Sequence, residues 1–212
     1  MRIVYAGDST VAFNKFDTYP QTGLSQGIAL YVKDEIWVRS FGVNGRSTKS
    51  FIDEGRLLEI DNFLAKGDLF LIQFGHNDEK KEDPSRYAEA FGGYQENLKN
   101  MIDVARRRDA LPLLITPVAR RRFDEQGCFC PGSHGEYPQA MKELAKREGV
   151  PCIDLCKRSE EYLEAIGDLA SRPMYVYPKD NTHLSYQGAI TYAGFIARAL
   201  KELGAPYADF LA

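Results

Sequence analysis

Ser9 stands in the stretch VYAGDSTV, Val4 to Val11, where an apolar run breaks into Gly7, Asp8, Ser9 and Thr10. A serine hydroxyl is a poor nucleophile at neutral pH until a base takes its proton, and the base works best when a third group fixes its tautomer. Of the three histidines, His183 lies in KDNTHLS, three residues after Asp180. One short loop ahead of the last helical pattern can therefore present both a base and its carboxylate partner. The order Ser, Asp, His is one of several in which such sets occur along a chain.

Acyl transfer through a serine also needs donors for the negative oxygen of a tetrahedral intermediate, commonly backbone N–H groups and an amide side chain. Ser9 can offer its own N–H, Gly45 in GVNGRS a backbone N–H unscreened by a side chain, and Asn77 in GHND a side-chain NH2. Each residue has a plainer reading. Gly-Asp-Ser-Thr is a turn-forming set, Gly45 a turn glycine, Asn77 a helix cap, and an Asp shortly before a helix an N-cap. Asp8, Thr10 and Asp78 fit local hydrogen-bonding partners better than reactants.

Elements that position these residues are legible as apolar runs bounded by turn signals: RIVYAG, EIWVRSFG, DLFLIQFG, PLLITP and VPCIDL. Most are apolar nearly throughout, as in strands covered on both faces of a parallel sheet. Between them lie helical patterns. Tyr87, Phe91, Tyr94, Leu98, Ile102 and Ala105 step by three and four, and Ala189, Ala193, Ile196, Ala197, Leu200 and Leu203 do the same at the C-terminus, with Ser185 as N-cap and Gly204 and Pro206 as stop signals. Five strands alternating with helices, with no long linker or repeat, predict a single three-layer α/β/α domain over residues 1–212. Ligands of such sheets bind outside the carboxyl ends of the strands, which is where GDST, GVNGRS, GHND and TPVARRR all fall. The stretches 123–133 and 170–182 are long enough to be site-edge loops.

The chain has 212 residues, 44% hydrophobic and 27% charged, with a formal net charge of −3. That balance argues against nucleic acid or an anionic membrane as partner. No run reaches the length of a bilayer span, and the apolar stretch at the N-terminus is too short for a signal peptide, so a cytoplasmic location is expected. Cys128, Cys130, Cys152 and Cys156 suit free thiols better than a disulfide framework, and their spacings do not suit zinc, so no metal is expected.

The blocks GDST, GVNGRS, GHND and DNTH resemble the four ordered blocks of the SGNH (GDSL-type) hydrolases. Within that superfamily the chain is most similar to the rhamnogalacturonan acetylesterases, through AGDSTV, NGRSTKSFIDEGRL, QFGHND, LLITPVAR and DNTHLS, over essentially its whole length. The resemblance implies a flavodoxin-like sheet of five parallel strands. It implies Ser9 as nucleophile, His183 as base, Asp180 as its partner, and Ser9, Gly45 and Asn77 as the oxyanion hole. It further implies a cofactor-independent esterase that removes acetyl groups from a pectin-derived oligosaccharide. Where that family has Gly-Trp-Gly after the nucleophile, this chain reads Gly23, Leu24, Ser25, so an aromatic that would stack on sugar or form a wall is absent there. Leu24, His76 and Arg120 are the expected substrate-binding residues, Arg120 through a sugar carboxylate. Trp37, the one tryptophan, is expected in the core. A broader short-chain esterase or lysophospholipase-like hydrolase is the alternative within the enzymes. Outside them stands a sugar- or phosphate-binding module, and self-association is left open.

Overall fold

The computed structural model describes residues Met1–Ala212. The five apolar runs form one parallel sheet of β1 (Arg2–Gly7), β2 (Trp37–Ser40), β3 (Leu69–Gln73), β4 (Leu111–Ile115) and β5 (Cys152–Ile153), in the order β2-β1-β3-β4-β5. Every residue of β3 is buried, which is why this strand reads as unbroken apolar sequence.

Alternate strand residues feed two separate cores. Ile3, Tyr5, Leu69, Leu71, Leu113 and Ile115 pack with α1 (Leu24–Ile28), α6 (Leu155–Ser171) and α7 (Tyr186–Leu203). Val4, Ala6, Phe70, Ile72 and Leu114 pack with α2 (Thr48–Asp53), α3 (Arg56–Phe63), α4 (Gly93–Arg107) and α5 (Tyr137–Glu148). The period-two alternation of strand side chains thus produces the three layers of an α/β/α fold with flavodoxin-like strand order. No helix is long and apolar enough to cross a membrane.

The C-terminal helix is as expected: Ser185 Oγ accepts the Gly188 N–H at 3.2 Å, and Gly204 follows the last turn. Two expectations fail. Trp37 is 62% exposed, because β2 is an edge strand and its ring stands in solvent rather than in the core. Tyr87 and Phe91 precede α4 instead of lying on it, and Phe91 is exposed. Gly92, at φ −122° and ψ −115°, is outside helical geometry, and the segment before it is tied to the third strand's loop, with the Ala88 N–H donating to the Asp78 carbonyl at 3.1 Å. Of the second expected loop, residues 170 and 171 still belong to α6, and residues 172–174 form a 3-10 turn.

Candidate active site

β1 and β3 lie where the strand order reverses, and the loops that follow them open on one crevice. Directly after β1 the chain turns back on itself: the Val11 and Ala12 N–H groups donate to the Asp8 carbonyl at 3.1 and 3.0 Å. Asp8 is fully buried, and its Oδ1 accepts the Thr10 N–H at 2.9 Å and the Thr10 hydroxyl at 2.8 Å. Burial pushes the Asp8 carboxyl up, against these hydrogen bonds. The Leu24 N–H, at the start of α1, closes on the Thr10 carbonyl at 2.8 Å, and Gln21 Nε2 donates to the Ser9 carbonyl at 3.2 Å. Ser9 is thereby held from both sides.

His183 arrives on the loop ahead of α7. Its Nε2 lies 2.9 Å from Ser9 Oγ, and its Nδ1 faces Asp180 Oδ2. Asp180 Oδ1 accepts the Thr182 and His183 N–H groups at 2.6 and 2.7 Å. Partial burial pushes the Asp180 carboxyl up, but the bonds from His183 and the two backbone N–H groups outweigh it, and its pKa lies below the ordinary value. The sequence-expected trio is therefore brought together in one hydrogen-bonded line. With Nδ1 donating to a carboxylate, Nε2 is left as the acceptor for a serine proton, the arrangement that activates a hydroxyl.

The three expected oxyanion donors come from three different loops. Gly45 adopts φ +78°, a left-handed conformation that suits glycine, and neither its N–H nor that of Ser9 has an acceptor within the protein. Asn77 Nδ2 donates one hydrogen to the Arg46 carbonyl at 3.0 Å, which orients the amide and leaves its second hydrogen free. Beneath these loops Asp78 is fully buried, with Oδ1 accepting the Thr48 N–H at 2.9 Å and the Thr48 hydroxyl at 2.5 Å. Burial outweighs those bonds and raises the Asp78 carboxyl to about 7.

The residues expected to bind substrate are placed differently. Leu24 is fully buried in the core beside α7, so only its backbone serves the site. His76 is also buried, with both ring nitrogens unpartnered and its ring edge-on to His134 at 4.4 Å. Burial first, and the neighbouring His134 and Arg120 second, hold His76 well below the usual imidazole range, so it is a neutral ring inside the protein rather than a group on the rim. Arg120 is taken up internally: it pairs with Glu79, donates from Nη1 to Thr182 Oγ1 at 3.0 Å, and reaches the His76 carbonyl from Nη2 at 3.3 Å. Its neighbour Arg121 is buried against Asp168, Ser171 and Asn181.

Sequence reasoning passed over Glu79, although it directly follows GHND. Its other oxygen meets His134 Nδ1 at 3.1 Å, and His134 Nε2 lies 2.9 Å from the Val118 carbonyl. Arg86, whose Nη1 stands 3.5 Å from Asn77 Oδ1, carried no sequence signal, since its neighbours read as an ordinary charged loop. A cleft of about 540 Å3 lies between residues 120–125 and Tyr177, Asn181 and Thr182 of the base loop, so part of the 123–133 segment faces that loop, but Ser9, Asp180 and His183 do not line the cleft. The cysteines are free, and burial pushes the Cys152 and Cys156 thiols up to about 12, far from thiolate chemistry.

The chain is similar to known proteins along its whole length. A family model described as GDSL-like Lipase/Acylhydrolase family matches residues 5–190. The chain belongs to that family. It is 39% identical to rhamnogalacturonan acetylesterase RhgT of Bacillus subtilis, over 100% of this chain and 94% of that protein. To rhamnogalacturonan acetylesterase of Emericella nidulans it is 27% identical, over 99% of this chain and 88% of that protein. Among solved structures, Bacillus subtilis YxiM superposes with a TM-score of 0.85 at 26% identity, covering 96% of this chain and 57% of that longer one. Axe2, an acetylxylan esterase from Geobacillus stearothermophilus, superposes with a TM-score of 0.64 at 18% identity, covering 97% of this chain and 95% of its own, a likeness of fold alone. As a member of the GDSL-like acylhydrolases, this chain is a carboxylic ester hydrolase.

Proposed function

We propose that this acylhydrolase removes O-acetyl groups from carbohydrate, with acetylated rhamnogalacturonan oligosaccharides as its substrate. The observation that carries the reading is the Ser9–His183–Asp180 line standing beside two backbone N–H groups without internal acceptors. The names of the relatives support the acetyl group and the sugar.

In this mechanism Ser9 Oγ attacks the acetyl carbonyl carbon as its proton passes to His183 Nε2. The carbonyl oxygen becomes an oxyanion among the Ser9 N–H, the Gly45 N–H and the free Asn77 N–H. As the intermediate collapses, the C–O bond to the sugar breaks and Nε2–H gives its proton to the departing oxygen, leaving acetyl-Ser9. Water then gives a proton to Nε2 and attacks the same carbonyl. Collapse of the second intermediate releases acetate and returns the proton to Ser9 Oγ. Asp180 holds the Nδ1–H tautomer throughout and stabilises the imidazolium that forms at each attack.

The test is hydrolysis of an acetyl-to-octanoyl ester series by the wild type and Ser9→Ala. Turnover confined to the short acyl chains and abolished in the variant is the expected result. Rates that rise with acyl length would move the substrate to lipids, and a fully active Ser9→Ala would sink the mechanism.

A further inference from the structure

Between the nucleophile turn and α1, the loop of residues 13–19 presents three aromatic rings to solvent: Phe13 is 64% exposed, Phe16 94% and Tyr19 78%. Their exposure is not that of an unanchored loop. Asn14, between the first two, is buried and gripped by Gln26, whose Oε1 accepts the Asn14 N–H at 2.9 Å and whose Nε2 donates to the Asn14 carbonyl at 3.1 Å. The same Oε1 accepts the Gly23 N–H at 3.0 Å, so the base of the loop is fixed to the start of α1. None of the three rings belongs to either core.

We propose that this loop is a glycan subsite, which takes sugar rings flanking the acetylated residue of an oligosaccharide. The inference rests on the carbohydrate reading above and extends it to the part of the chain that recognises the polymer. A cleft of about 270 Å3 lies against the loop, bordered by Phe13, Asn14, Lys15, Asp17, Thr18 and Asn44. A pyranose ring has an apolar C–H face and a rim of hydroxyls, and this surface offers the matching pair, an aromatic face beside amides, a hydroxyl and a carboxylate.

Side-chain amides link the cleft to the reaction centre. Asn44 directly precedes Gly45, and Asn44 Nδ2 donates to Asn14 Oδ1 at 3.4 Å. Gln21 Nε2 spans the Ser9 carbonyl at 3.2 Å and Asn44 Oδ1 at 3.5 Å. A chain of amides therefore leads from the nucleophile to the aromatic loop. With Leu24 buried, the exposed aromatic rings that follow Ser9 most closely along the chain are those of this loop. A lipid surface fits less well, since membrane-binding faces carry excess basic charge, whereas Lys15 and Asp17 balance each other here. A second copy fits less well because the rings are separated by polar residues rather than joined into one apolar patch.

The experiment compares the wild type with a Phe13→Ala, Phe16→Ala, Tyr19→Ala triple variant on two substrates. One is 4-nitrophenyl acetate, which needs only the reaction centre. The other is a panel of acetylated rhamnogalacturonan and xylan oligosaccharides of increasing length. The subsite predicts a KM for the longer oligosaccharides raised roughly tenfold or more, with kcat and the small-ester rate unchanged, as for loss of binding shared by ground and transition states. The melting temperature should hold, because the rings are solvent-exposed. Equal kinetics on both substrates would overturn the subsite alone. Equal losses on both would overturn it in favour of a loop that holds the nucleophile turn. A KM unchanged together with lost binding to anionic vesicles, or with a lost dimer, would hand the loop to lipid or to a second copy. A wild type that hydrolyses the small ester but no oligosaccharide would overturn the carbohydrate reading itself, and the subsite with it.

Discussion

Asp78 and Asp180 are pushed in opposite directions by their surroundings. Asp180 is half-buried but wrapped by three donors, and stays ionised to steer His183. Asp78 is fully buried with Oδ2 unpartnered, and its carboxyl is raised to about 7. The native state therefore keeps a proton on Asp78 that the unfolded chain has already released, so Asp78's own contribution to stability falls as pH rises from the ordinary carboxylate range to about 7, while the depressed His76 works in the opposite sense. Asp78→Asn keeps an acceptor for Thr48 and removes the titration. Its urea midpoint should therefore rise relative to that of the wild type as pH increases across this window, since the titrations of Asp8 and His76 are common to both proteins. Parallel slopes would show that Asp78 does not titrate there. One residue earlier, Asn77→Ala removes a donor to the oxyanion without touching the nucleophile, so kcat on a small acetyl ester should fall about 100- to 1,000-fold with KM little changed. A near-neutral variant would remove Asn77 from that role.

Helices α1 and α7 bring the nucleophile turn and the base loop to the same place, and they do so backbone against backbone. A Cβ added at Gly27 would stand 2.3 Å from the Ala189 carbonyl oxygen and 2.9 Å from Ala193 Cβ. Gly27→Ala must therefore push α1 off α7, at a cost of about 1–3 kcal/mol for overpacking. Because the α1 start holds the Thr10 carbonyl and α7 follows His183, thermal melting and kcat should drop together; a lower melting temperature with full kcat would separate packing from alignment. Sequence patterns told most about such elements where one physical cause dominated. β1 and β3 were legible because coverage on both faces makes them apolar nearly throughout, and α7 because its cap, stripe and stop signals agree. Trp37 was misread because a strand's composition does not disclose that it lies at the sheet edge. Phe91 was misread because a helical spacing continued past a backbone break at Gly92. Ser9, Gly45 and Asn77 stood out because each follows an apolar run, Asp180 and His183 because they share one short loop ahead of α7, and each carries a distinct chemical role. Glu79, Arg86 and the true partners of Arg120 did not, since which charges pair across loops is a tertiary matter.

Across the whole molecule, the nucleophile and oxyanion loops belong to β1, β2 and β3, whereas the base stands on the segment before α7. These parts must keep register within a fraction of an ångström for proton transfer, and a misplacement of about 1 Å can cost about 100-fold. Arg120, just after β4, spans the two. Its guanidinium binds Thr182 beside the base, the His76 carbonyl beside Asn77, and Glu79, while its own N–H donates to Ser133 Oγ at 3.1 Å. Arg120 is then a positioning residue rather than a contact for a sugar carboxylate, and the two roles predict different kinetics. As a clamp, Arg120→Ala should lower kcat roughly 10- to 100-fold even on a neutral small ester, with KM little altered and partial recovery in Arg120→Lys. Adding Glu79→Gln to Arg120→Ala should cost little more, because the two side chains act as one unit. Free guanidinium at low concentration should restore part of the Arg120→Ala rate by occupying the vacated place between Thr182 and His76. A contact for substrate carboxylate would instead leave the neutral ester untouched and raise KM only for acidic oligosaccharides, and that result would return Arg120 to the substrate.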